Sequence, residues 1–368
     1  MSLNRVKLQR YFSAKRIMLP VLLGLGVMGF LIYENYDPDQ FSTLANAHLL
    51  WIGMALLLLL VRDWGYVYRI RLITDKFLSW KQSLSVIMLW EFASCALPSV
   101  VGGSTIASYI LYKEGVPLGK SLSQVMVTAM LDNFYFVLVF PLILFFTSGN
   151  LLPELIGLSE TVRDSLGIAF FISYLLIASY AFLMFYALFV HPRAVKKLLL
   201  KLGSFKIFRR WQQSLFRHAN ELLIASQHLK HKTFGYWFKA SISTIFVWTA
   251  RYAIISCLIA AFTDLEMMDH VVIFSRNLVY KIVLFVSVTP GGAGFAEMSF
   301  PAFFGAYLAG FTAIIILVYR LFTYYLYLII GAFVFPRWAD RVFSKEEDNS
   351  SSVAVNKTPV PIESRTTK

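Results

Sequence analysis

The chain has 368 residues, 58% of them hydrophobic and only 15% charged, with a formal net charge of +13. A water-soluble globule cannot keep a polar surface with so few charges, so the composition excludes one and reads as an all-α polytopic membrane protein. The positive charge invites a nucleic-acid partner, but charge confined to one side of a membrane has a different cause.

Apolar runs near the ~20 residues that cross a bilayer fall at about 17–33, 44–61, 121–148, 166–190, 240–262 and 310–335. They predict six full spans. The first follows the basic stretch Arg5 to Arg16 without a small-residue cleavage site, so it is expected as an uncleaved anchor. Two further apolar regions, about 82–112 and 271–309, are each broken by proline and glycine. Cys95 and Cys257 lie inside apolar segments as small hydrophobes, without a disulfide framework.

Charge sets the orientation. The segment before the first span holds Arg5, Lys7, Arg10, Lys15 and Arg16 without an acid, and residues 62–81 hold five bases against two acids. Residues 191–239 hold eleven Lys/Arg against Glu221 alone. The opposite connections carry Glu34, Asp37 and Asp39, then Glu154, Glu160 and Asp164 against Arg163, then Asp264, Glu266 and Asp269. The basic faces are cytoplasmic by the positive-inside rule, which places both termini inside and removes the support for nucleic acid. The stretch AVKKLLLKLGSFKIFRRW in the basic loop reads either as a helix lying on an anionic leaflet or as a solvated connector.

The expected organisation is a basic N-terminus over 1–16, a first membrane repeat over 17–148 and an external loop over 149–165. A second repeat over 166–336 contains the basic loop 191–239, and a disordered tail over 337–368 follows.

In the first broken region, Gln82 to Leu97 would form a helix interrupted by Pro98, Gly102 and Gly103, and the remaining limb is too short to span. Both ends must lie inside, which predicts a re-entrant hairpin. In the second, VTPGGAGFAE supplies Pro290, Gly291, Gly292 and Gly294; charge leaves a hairpin and two thin spans equally open. Set side by side, the halves have the same order of elements with opposite orientation, an inverted repeat. Proline-glycine breaks at corresponding positions point to a site at the repeat interface.

Seven ionisable residues remain inside the membrane: Glu91, Asp132, Arg251, Arg276, Lys281, Glu297 and Arg320. Each is costly in hydrocarbon and should face the interior, either as structural ion pairs or as ligands of a lipid headgroup. Asp132 and Arg320 follow their respective prolines at near-equivalent intervals with opposite charge, so they are expected to pair. GGAGFA neither follows a strand nor precedes GK[ST], and the six histidines lack HExxH spacing, so no cofactor or metal is expected and no catalytic set is assigned.

LPSVVGG, followed by YILYKEGVPLGKSLSQVMVTAMLD, then VTPGGAGFAE and LVYRLFTYYLYLIIG, resembles the ordered signatures of the lysylphosphatidylglycerol synthase transmembrane-region family, also called flippase-like membrane proteins. The resemblance covers most of residues 15–335. It marks Pro98, Gly102, Gly103 and Asp132 in the first half, and Pro290, Gly291, Gly292, Gly294, Glu297 and Arg320 in the second. Members commonly carry an acid and an arginine after the first glycine pair, where this chain has Ser104, Thr105, Ile106 and Ala107. Without the soluble aminoacyl-transferase domain of the larger synthases, the resemblance implies lipid handling and not lipid aminoacylation. The expected function is to flip or transport a polar phospho- or glycolipid between leaflets of a bacterial inner or cell membrane, with an anionic headgroup as partner. The rival readings are a glycosyltransferase-like lipid-modifying enzyme and a non-catalytic partner of a separate synthase.

Overall fold

The computed structural model describes residues 14–34, 47–97, 103–147, 160–205, 212–285 and 289–355, and over these the protein is helical with no strand. Helices α1 (Ala14–Glu34), α2 (Leu49–Ile73), α3 (Trp80–Ala96), α4 (Gly103–Lys113) and α5 (Leu118–Phe146) make up the first half. The second holds α6 (Glu160–Phe185), α7 (Pro192–Ser204), α8 (Gln212–Leu229), α9 (Phe234–Ala260), α10 (Met267–Phe285), α11 (Phe295–Phe304), α12 (Thr312–Arg320) and α13 (Leu326–Val355). A π turn extends α6 through Tyr186–Val190, and another, Leu321–Tyr325, joins α12 to α13.

Among the described residues, five stretches are long and apolar enough to cross a membrane: Leu49–Ile73, Leu118–Phe146, Phe170–Val190, Phe234–Ala260 and Thr312–Ser344. Their outer faces carry exposed Leu138, Phe145, Phe171, Phe246 and Phe333, while Arg62, Arg69, Glu91, Glu297 and Arg320 are buried. Apolar outside and charged inside is the inverse of a soluble protein, and it matches a hydrocarbon solvent.

Local chemistry explains several boundaries. Ser79 and Gln82 form a reciprocal cap at the start of α3, with Gln82 N donating to Ser79 Oγ at 3.2 Å and Ser79 N to Gln82 Oε1 at 3.0 Å. Thr233 Oγ1 accepts from Tyr236 N at 3.4 Å and opens α9. The core is organised around α2 against α9 and α3 against α13. A Cβ on Gly65 would lie 2.6 Å from Val247, and one on Gly331 2.1 Å from Phe92, so glycine sets both close approaches.

Three expectations change. Span two does not stop at residue 61: α2 continues to Ile73 and carries Arg62, Asp63 and Arg69 into the interior, because ion pairs satisfy them there. The second limb of region 271–309 is shorter than the apolar run suggests. The ten residues of α11 rise ~15 Å, about half the hydrocarbon thickness, whereas the nineteen of α10 rise ~28 Å. The tail is helical to Val355, and Trp338, Ala339, Val342 and Phe343 are buried, so disorder does not begin at 337. Trp338 Nε1 donates to Glu114 Oε1 at 2.8 Å, and Arg341 pairs with the same carboxylate, which anchors that extension. In the basic loop, α7 and α8 pack on each other and α8 packs on α5.

Candidate functional site

A chain of buried charges runs through the centre of the bundle. Arg62 and Asp63 on α2 are joined at 2.7 Å, and Tyr327 on α13 donates to both Asp63 oxygens at 2.8 and 2.9 Å. Glu91 on α3 lies 3.8 Å from Arg62 and 3.3 Å from Arg251 of α9, which also donates to Tyr66 Oη at 2.8 Å. Toward α5, Arg69 pairs with Asp132 and donates to Thr244 Oγ1 at 3.0 Å, while Trp248 Nε1 donates to Asp132 at 2.7 Å. Arg62, Tyr66 and Arg69 sit three and four residues apart, so one face of α2 serves the whole network.

A second cluster forms at the break before α11. Arg320 Nε and Glu297 Oε1 make an ion pair at 2.7 Å, and Arg320 Nη1 donates to Gly291 O at 3.2 Å. The guanidinium stands 3.9 Å from the centre of the Tyr324 ring. Glu297 is 0% exposed, and its other oxygen accepts from Gly294 N at 2.7 Å, so one carboxylate both caps α11 and neutralises Arg320.

Two adjoining cavities meet these charges. The larger, about 650 Å³, lies among α2, α3, α5, α6 and α9 and is bounded by Arg69, Glu91, Asp132, Trp248 and Arg251 amid apolar walls. Leu176 and Tyr180 of α6 also line it while being 65% and 47% exposed, so this chamber reaches the outer, apolar surface. The smaller, about 280 Å³, is bounded by Glu91, Arg251, Lys281, Gly291, Gly292 and Arg320. Trp90, Glu91, Ser94, Phe136, Trp248 and Arg251 line both chambers.

The charges do not balance at the smaller chamber. Arg62 and Arg251 face Asp63 and Glu91, and Arg320 faces Glu297, but Lys281 has no ion pair or side-chain hydrogen bond among the described residues. Buried Arg320 Nη2, Tyr252 Oη and Tyr324 Oη, on residues that line the same chamber, likewise lack partners. A partly buried ammonium beside unmet donors is a costly arrangement unless something acidic and rich in acceptors joins it.

The glycines of the break act through close approach. Gly291 has φ +57°, and a Cβ there would lie 2.2 Å from the Tyr324 ring and 2.9 Å from the Cys95 carbonyl. Only glycine fits both the left-handed backbone and the contact. That contact also sets the second break against the last turn of α3, immediately before the first. Gly294, at φ +81°, leaves room for Leu23 of α1, and Gly103 for Ser94. Pro290 opens the short turn Pro290–Gly292. Pro98 and Gly102 lie outside the described residues.

Of the seven intramembrane residues, Glu91, Asp132, Arg251, Lys281 and Arg320 line the two chambers, and Glu297 stands directly behind Arg320. Arg276 lines neither: it donates to Phe303 O at 3.1 Å and lies over the Tyr307 ring at 5.2 Å. The expected Asp132–Arg320 pair is wrong. Asp132 is taken by Arg69 and Trp248 and Arg320 by Glu297, because each finds a partner on a neighbouring element in its own region. Sequence reading missed Arg62, Asp63, Arg69 and Tyr327. The signal was present in the helical spacing of Arg62, Tyr66 and Arg69, hidden by ending the span at its first charge.

The chain is similar to a protein described as "UPF0104 membrane protein" from Archaeoglobus fulgidus, 24% identical over 327 residues that cover 86% of this chain and 94% of that protein. Residues 17–331 match the family described as "Lysylphosphatidylglycerol synthase TM region", and the chain belongs to that family of membrane proteins.

Proposed function

We propose that this protein carries a polar lipid, with a phosphate or phosphate-linked sugar headgroup, between the leaflets of its membrane. The observation that carries the reading is the pair of adjoining chambers: a small one with charged groups on its wall, including Lys281 without an ion pair, and a large, mainly apolar one reaching the outer surface at Leu176 and Tyr180. An amphiphile has the same two parts. In this reading the headgroup enters the small chamber, where Lys281 and Arg320 meet its phosphate, and the chains stay against the apolar walls and the bilayer. Glu91 and Asp132 hold Arg251 and Arg69 in place and face hydroxyl or amine groups of the headgroup.

The family membership and the short α11 support two further parts of the proposal. Region 267–304 is a re-entrant hairpin, and the segments 17–148 and 166–336 act as inverted repeats, with the second break meeting the end of α3 at Gly291 and Cys95. Alternate opening of the two halves around that contact exposes the chambers to one leaflet and then the other. The charge pattern supports both termini on the cytoplasmic side.

The test is leaflet exchange in liposomes made with lipid extracted from the host and a headgroup-labelled tracer. Wild type is expected to accelerate exchange, and Lys281→Met to lower the rate about tenfold or more, the loss of one charge-assisted contact. Folded wild-type protein that leaves every tracer in its original leaflet overturns the proposal, and a chemically altered lipid in the same vesicles favours the enzyme reading instead.

A further inference from the structure

A third cavity, about 510 Å³, shares no lining residue with the two chambers. It lies where two membrane helices end. Leu188 and Phe189 come from the π turn Tyr186–Val190 that closes one span, Trp237 from the first turn of α9, and Leu229 from the end of α8. Phe189 and Trp237 meet edge to face at 5.1 Å and form an aromatic corner. A π turn is an uncommon and less favourable backbone form, found often at functional sites, and here it presents Phe189 and Val190 to the cavity.

Arg193, Lys230 and Lys232 stand around this apolar floor. Lys232 is occupied by Asp75 and lies 4.9 Å from the Tyr236 ring centre. The side chains of Arg193 and Lys230 have no ion pair or hydrogen bond among the described residues, and no acid lines the cavity. Orientation by charge explains why this end is basic, but not why two free cations border a cavity with an aromatic, aliphatic floor. A free ion would use the cations alone; an amphiphile at the bilayer boundary uses both.

We propose that this cavity binds the phosphate-bearing headgroup of an anionic membrane lipid from the adjacent leaflet, with Arg193 and Lys230 on the phosphate and the first chain carbons against Leu188, Phe189 and Leu229. The site is separate from the transport chambers and does not depend on their reading. Leu188 and Leu229 belong to one apolar cluster with Met130 and Leu131, the sequence neighbours of Asp132, so occupancy braces α8 against the helix that carries that carboxylate.

Thermal unfolding of the full chain in a non-ionic detergent tests this, titrated with short-chain phosphatidylglycerol, with matched phosphatidylcholine, and with inorganic phosphate. Phosphatidylglycerol is expected to raise the melting temperature saturably, and Arg193→Gln/Lys230→Gln to move the half-saturating concentration upward about tenfold or more. Lys281→Met, in the transport chamber, should leave that midpoint unchanged. An equal shift from phosphatidylcholine, full reproduction by inorganic phosphate, or an unchanged midpoint in the double variant overturns the proposal. Should the double variant fail to fold, the single variants Arg193→Gln and Lys230→Gln carry the same test, each with a raised midpoint.

Discussion

The Glu297–Arg320 pair gives the sharpest energetic test. Glu297→Gln removes the charge but keeps an amide oxygen able to accept from Gly294 N, so the start of α11 stays capped. Arg320, 5% exposed, then keeps only the Gly291 carbonyl at 3.2 Å and the Tyr324 ring at 3.9 Å. Leaving one member of a buried pair without its partner costs about 3–5 kcal/mol. Arg320→Met strands Glu297 in the same way and should cost a similar amount. Replacing both, Glu297→Gln/Arg320→Met, removes both charges together, so the double variant should lose much less than the sum, with a coupling of about 2–3 kcal/mol. Unfolding in mixed lipid–detergent micelles with rising denaturant measures all three. Single-variant losses that add to within about 0.5 kcal/mol refute the pair as an energetic unit.

Two further outcomes follow from local geometry. Gly291→Ala should destabilise by about 1–2 kcal/mol through the left-handed backbone alone, with more from the overlap with Tyr324 and the Cys95 carbonyl; a melting temperature equal to wild type would contradict the close approach. At the end of α8, partial burial and then the neighbouring Lys120 and Lys232 push the His228 imidazole below the ordinary histidine range, against the opposing Asp75. The folded state then resists a proton that the unfolded chain accepts, so stability present above pH ~6.5 declines as pH falls through the lower folded value. An NMR titration of His228 with its midpoint at or above the ordinary value would contradict that sign.

The sequence by itself determined the class, most of the spans and the places of interest. Composition requires a hydrocarbon solvent, runs such as 121–148 and 240–262 can only be satisfied as helices there, and proline with glycine must interrupt them. It also singled out Glu91, Arg251, Lys281, Glu297 and Arg320, since charge inside an apolar run is rare and costly. What it could not determine was partnership. Asp132 chose Arg69 over Arg320, and Arg62 and Asp63 moved from an expected connector into the core. Ion pairing depends on which helices touch, and that is fixed by features with no periodic signal: glycine at 65 and 331 that lets backbones approach, and a π turn after Arg320 that shifts register within one helix. Lys281 was legible as a buried cation, but that it has no ion pair beside the chamber is known only once Glu91, Asp132 and Glu297 have found their arginine partners in three dimensions.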